Sequence, residues 1–253
     1  MKTKKFAVIS IFVVFAVVVI CSAIATFTLK SVNAVFSVSV ENSARVQTVQ
    51  ETLDKYTGKN LLFCKTDDIK AEIEQDPYIE VVSIVKRYPD QLEVKVKDRK
   101  ELYVVNNGDA YYVLSENGIV LRKSDEQVGG REYIELDLGD IKTNRLTVGS
   151  YISTEDDEML AIALDVAQTA RLTDCIKKIK LDKGVEKEDI IFSTYTAVDI
   201  VIKKAKDEGV KKTEYALKAY DEETHDYRKS NNQIIAYKLD SGEIRVVWRD
   251  QGE

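Results

Sequence analysis

The strongest constraint on this chain is an uncharged stretch near its start. Residues 6–27 are dominated by Val, Ile, Ala and Phe and contain no Asp, Glu, Lys, Arg or His. At about 1.5 Å per helical residue such a run can cross a hydrocarbon core of about 30 Å. Lys2, Lys4 and Lys5 precede it and only Lys30 follows closely, so positive charge favours a cytoplasmic N-terminus. Residues 1–5 are then a cytoplasmic tail, 6–29 a transmembrane helix, and everything later lies outside the cytoplasm. A cleaved signal peptide competes, because the basic start, the apolar stretch and Ala23-Ile24-Ala25 match its three parts. Against it, the apolar run continues through Phe27 and Leu29, longer than the roughly 7–15 residues a signal core needs. Lipid attachment at Cys21 is disfavoured by Ile20, where a small residue is wanted.

The chain holds 37 basic and 43 acidic residues. Three of the basic ones precede residue 30, leaving 34 against 43, a net −9, for the body beyond the anchor. A mildly acidic body argues against nucleic acid or an anionic surface as its partner, since both select clustered cations. Lys203-Lys204 and Lys211-Lys212 are expected to be solvated faces. Cys64 and Cys175 are too few for a disulfide scaffold and are expected as buried thiols, with one bridge between them left open.

Beyond the anchor, Phe36, Val38 and Val40 alternate with polar residues as in a half-buried strand. Asn42 or Ser43 can cap a helix carrying Val46, Val49, Leu53 and Tyr56, with Gly58 ending it. Thr66 or Asp67 can cap a second, carrying Ile69 and Ile73 and stopped by Pro77. Ile79, Val81, Ser83 and Val85 then share one strand face, and the chain turns at residues 87–91 and returns through Leu92, Val94 and Val96. This strand-helix-helix-strand-strand unit occupies residues 30–100. Residues 101–253 read as a second, mostly antiparallel β domain with two helices. Short strands at 102–105, 111–114 and 119–121 are joined by Asn107-Gly108 and Asn117-Gly118 turns, with another strand at 133–136. Thr154 with Asp157 opens a helix bearing Met159, Ile162, Ala163, Val166 and Ala170. Strands at 176–181, 190–194 and 198–202, a helix at 210–220, and a hairpin of 234–239 and 244–249 complete an α+β chain.

Chemistry is sparse. The only histidine, His225, lies in a polar stretch with no nucleophile at a telling spacing. The two body cysteines are over a hundred residues apart, which is not a zinc pattern. Asp67-Asp68 and Asp156-Asp157 sit at expected helix starts, where the helix dipole explains them, and Glu222-Glu223 lies in the polar stretch. Gly129-Gly130 lacks the strand-before, helix-after context of a phosphate loop. The sequence therefore points to no catalytic residue, no metal, no cofactor and no small-molecule substrate. What remains is protein docking. In the terminal strand Ile244, Val246 and Trp248 should face the core while Arg245, Val247 and Arg249 face out.

Several segments together resemble the bacterial cell-division FtsQ/DivIB family. They are Phe36-x-Val38-x-Val40, the loop Gly58-Lys59-Asn60-Leu61-Leu62, and Pro77-Tyr78-Ile79-Glu80 leading into Arg87-Tyr88-Pro89-Asp90-Gln91-Leu92 and ending at Asp98-Arg99. The signature is similar to the FtsQ-type POTRA domain, carried by Pro77, Tyr78, Arg87, Tyr88, Pro89, Leu92 and Arg99. It continues more weakly through Gly118-Ile119-Val120-Leu121. Residues 203–230 depart from the family, so its binding residues are not transferred there one by one. The resemblance implies a non-enzymatic scaffold in the membrane at the division septum. It implies FtsL-like and FtsB/DivIC-like single-span coiled-coil partners, and a part in controlling septal peptidoglycan synthesis. It also implies that the late strand holding Ile244, Arg245, Val246, Val247, Trp248 and Arg249 is the docking edge. Alternatives are another membrane-anchored POTRA protein in envelope transport or assembly, and an extracytoplasmic hydrolase, which would need acids converging in a cleft.

Overall fold

The structure, a computed structural model, describes residues 2–37, 43–168, 175–183, 188–222 and 232–250, with side chains from Ile11 onward except Ala23. Val38, Val40, Asn42, Ala170, Glu223 and His225 lie outside the described residues. The chain divides into two compact units, Met1–Arg99 and Lys100–Glu253.

The first unit begins with helix α1 (Lys2–Thr26), closed at its end by the Thr26 and Thr28 hydroxyls donating to the carbonyls of Ser22 and Ile24. Among the described residues, no helix is long and apolar enough to cross a membrane. Strand β1 (Ser31–Phe36) starts earlier than the alternation at 36–40 suggested, because it pairs in parallel with β3 from Ser31 opposite Gln91 to Phe36 opposite Val96. Helices α2 (Ser43–Asp54) and α3 (Thr66–Ile73) bury Val49, Leu53, Ile69 and Ile73. The residue capping α3 is Lys65, with no side-chain cap bond, rather than Thr66 or Asp67; Asp67 and Asp68 occupy the first turn and complement its positive end.

Strands β2 (Ile79–Arg87) and β3 (Gln91–Asp98) form the expected hairpin, giving a sheet ordered β1-β3-β2. One expectation fails here. A bulge between Val81 and Ser83 adds a residue to β2, so the inward face passes from Val81 to Ile84, and Val85 turns outward, 42% exposed. Leu92, Val94 and Val96 fill the core as expected.

Pro77, Tyr78 and Arg99 meet where the hairpin opens. The Arg99 side chain is only 9% exposed. Its guanidinium donates to the carbonyls of Pro77 and Ile79 and, at 3.2 Å, to Glu74 Oε1, which also accepts the Val81 N–H. The Arg45 guanidinium lies 4.4 Å over the Tyr78 ring. At the other end Arg87 pairs with Glu93 at 2.8 Å and Tyr88 is exposed.

The second unit is a nine-stranded sheet ordered β14-β13-β12-β11-β10-β7-β4-β5-β6. β4 (Glu101–Asn106), β5 (Tyr111–Ser115) and β6 (Val120–Ser124) form the meander, and β7 (Ile134–Asp137) inserts between β4 and β10, parallel to both. β8 (Thr143–Arg145) and β9 (Ser153–Thr154) make a separate small ladder. β10 (Ile176–Asp182), β11 (Asp189–Thr194) and β12 (Asp199–Ile202) run antiparallel in turn. Helix α5 (Gly209–Glu222) carries the chain to β13 (Asn232–Lys238), parallel to β12, and β14 (Ile244–Asp250) returns beside it. Residues of helix α4 (Asp157–Ala167) and α5 join one sheet face in a core that includes Tyr103, Phe192, Met159, Ala163, Ala216 and Ile234.

The start of α4 differs from the expected box. Asp157 does accept the Thr154 N–H at 2.6 Å, but the oxygen that caps the helix is on buried Asp156, which accepts the Met159 N–H. Burial alone would raise the Asp156 carboxyl. Lys183 and Lys206, each 3.0 Å away, and the Met159 N–H reverse this and hold it below its ordinary 3.8. A carboxyl depressed on folding contributes stability above its unfolded value and loses it as pH falls through the folded one. The second unit should therefore lose stability in acid below about pH 4, and Asp156→Asn should flatten that loss in unfolding titrations.

Candidate protein-docking edge

The strongest candidate site is the terminal hairpin, and the sequence builds it from two periodicities. Ile234 and Ala236 of β13 are buried, and Val246 and Trp248 of β14 pack on the same core. The turn closes with the Leu239 N–H donating to Glu243 O and the Gly242 N–H to Leu239 O, both 2.8 Å, and Gly242 takes φ +85°. Register runs from Lys238 opposite Ile244 to Asn232 opposite Asp250. β14 is the outermost strand on its side, with no further strand beyond it among the described residues. The expected alternation holds: Ile244, Val246 and Trp248 are partly buried, and Arg245, Val247 and Arg249 are exposed.

On the face away from α4 and α5, Ile191 lies opposite Val201, Val201 opposite Ile235, and Ile235 opposite Val247. An apolar row thus crosses four strands and ends on the outer one, where Val247 is 38% exposed between the two arginines. The sequence reading missed this row. Its signal was Ile190-Ile191-Phe192, Ile200-Val201-Ile202 and Ile234-Ile235-Ala236, which are continuous rather than alternating and so mark strands apolar on both faces.

The hairpin is braced from beneath by lysines that were expected to be solvated. Lys204 and Lys211 are exposed, but the Lys203 ammonium reaches buried Asp189 at 2.6 Å, and the Lys203 N–H donates to Ala236 O of β13. Lys212 is itself buried, its ammonium donating to the carbonyls of Lys203 and Lys204 at 2.9 and 3.1 Å. Burial draws its pKa down. Lys238 bonds Asp207 and Glu208 at 3.0 and 3.1 Å, which raises its pKa and lowers both of theirs. Spacing could have revealed Lys212, because it falls on the α5 stripe of Gly209, Thr213, Ala216 and Tyr220. Lys212→Ala should cost about 2–3 kcal/mol in thermal unfolding, since two carbonyls lose a charged donor. Lys212→Met should restore the packing share of that loss only.

Acids do converge elsewhere in the second unit, at Glu135 and Asp137, but on the Lys178 ammonium at 2.9 and 2.8 Å. Although burial alone would raise Asp137, Lys178 and the Gly139 N–H hold it low, opposite to what a general acid needs. No disulfide joins Cys64 and Cys175; Cys64 is buried and Cys175 partly so. Among the described residues, no group of three or more His, Cys, Asp or Glu is placed to hold a metal ion.

Comparison with known proteins adds family context. Residues 34–99 match the family model described as POTRA domain, FtsQ-type. Cell division protein DivIB of Clostridium botulinum strain Hall is 27% identical over 164 residues, covering 65% of this chain and 61% of that protein. The protein of the same name from Clostridium acetobutylicum is 26% identical over 129 residues, covering 51% of this chain and 50% of that one. The chain thus spans about three-fifths or less of the length of these relatives. A solved extracytoplasmic domain of DivIB from Geobacillus stearothermophilus aligns at 14% identity with a TM-score of 0.28, over 41% of this chain and 77% of that one.

Proposed function

We propose that this chain, which carries an FtsQ-type POTRA domain and whose curated homologues are cell division proteins named DivIB, is a membrane-anchored, non-enzymatic scaffold of the division machinery. Residues 6–29 are its single transmembrane anchor, with residues 1–5 in the cytoplasm and the body outside. Its partners are FtsL-like and FtsB/DivIC-like single-span coiled-coil proteins, and it helps couple septum formation to peptidoglycan synthesis. The observation that carries this reading is that β14 is an outermost strand bearing Val247 between Arg245 and Arg249. A partner strand can extend such an edge by backbone hydrogen bonds, with side-chain pairing supplying specificity. An apolar residue beside Val247, with acids facing the two arginines, would complement it.

The test is capture from membrane extract by the full-length chain in mild detergent. Small single-span coiled-coil proteins should co-purify and localise with the chain at division septa. Recovery without them, or uniform distribution over the cell envelope, would sink the proposal.

A further inference from the structure

The end of α1 is bonded into the small domain. The Leu61 N–H donates to Phe27 O at 2.7 Å, the Leu29 N–H to Lys59 O at 2.8 Å and the Gly58 N–H to Leu29 O at 2.9 Å. The Asn60 amide donates to Ile24 O at 3.3 Å while its oxygen accepts the Leu62 N–H. The Lys30 N–H donates to Asp90 O, and the Phe27 ring meets Tyr88 edge-on with centroids 5.9 Å apart. Two loops, 58–63 and the hairpin tip at 88–90, therefore collar the point where the apolar helix leaves off.

Those loops expose large apolar groups. Leu61 and Cys64 point into the core, which fixes the loop, while Leu62 is 45%, Phe63 79% and Tyr88 58% exposed. One exposed apolar residue means little, but a patch continuous with an apolar helix marks an interaction surface. Lys59 lies 4.0 Å over the Tyr56 ring, and exposed Lys65 adjoins the same loop. Aromatic rings flanked by lysines beside an apolar helix are the composition of a membrane–water interface.

We propose that Leu62, Phe63 and Tyr88 insert into the lipid interface around α1, seating the POTRA domain on the bilayer surface instead of leaving it tethered above. This rests on α1 spanning the membrane. Seated in this way, the collar limits tilt of the domain, and Asn60 is the hinge pin that joins helix to loop. Exposed Val82, six residues before Tyr88 along β2 and so roughly 20 Å away, lies outside the collar.

Full-length Phe63→Trp, Tyr88→Trp and Val82→Trp variants, each retaining Trp248 as a common background, would be reconstituted in phosphatidylcholine–phosphatidylglycerol vesicles with and without shallow acyl-chain bromines. Bromine quenching of the added tryptophan should be at least about twofold greater at positions 63 and 88 than at 82, as for other interfacial aromatics. Equal quenching at all three positions, or quenching at 82 alone, overturns the seating. Carbonate-resistant flotation separates the two ideas: chains that float but show equal quenching keep the anchor and lose the collar, whereas chains that do not float lose the anchor itself.

Discussion

Val247→Pro is expected to weaken capture of an FtsL-like or FtsB/DivIC-like extracytoplasmic segment at least about a hundredfold, about 2.7 kcal/mol. Val247 forms a hydrogen-bonded pair with Ile235, so proline at 247 removes a ladder bond to β13 and deforms the edge that an incoming strand would extend. Val247 is partly exposed at the end of the apolar row, so little core contact is lost. Val247→Glu is the companion variant, because it keeps the donor and the fold but places an acid where an apolar contact is expected. Binding by calorimetry, with circular dichroism to show that the body remains folded, reads both. Undiminished affinity in two folded variants would remove β14 as the docking edge.

Arg99→Ala should cost the small domain about 3–5 kcal/mol, the usual penalty for breaking a buried charge pair. Its guanidinium joins Pro77 O, Ile79 O and Glu74, which lie after α3 and at the start of β2, so a single side chain closes the open end of the hairpin. Arg99→Lys should recover only part of the loss, since a single ammonium cannot reproduce the planar fork. Denaturant unfolding of the full chain should show the transition of the first unit move to lower denaturant while that of the second stays in place. An unshifted first transition would mean that the Arg99 contacts contribute nothing net.

The arrangement of elements was legible because each depends on local pattern. Helical spacing marked α2, α3, α4 and α5, and Pro77, Gly58 and the Asn-Gly pairs marked their limits. The outer position of β14 followed from its place at the end of a clear hairpin. What escaped depends on long-range pairing or on an extra residue. The bulge at Val82 reverses the side-chain phase of β2, and nothing in Val81-Val82-Ser83 announces it. β7 sits between β4 and β10, a placement set by distant partners and invisible to periodicity. Lys212 was read by charge although its helical position placed it on the buried stripe, so residue type overruled phase where phase was correct. The exposure of Phe63 escaped as well, because sequence does not distinguish Leu61, which points inward, from its neighbour Leu62, which points out.

The most direct test of strand docking is amide hydrogen exchange on the full chain, alone and with its partners' extracytoplasmic segments, followed peptide by peptide. An added strand on β14 predicts slowed exchange confined mainly to residues 244–250, with smaller slowing in β13, and loss of that protection in Val247→Pro. Stable complex formation with unchanged exchange across 244–250, and protection appearing elsewhere, would contradict it.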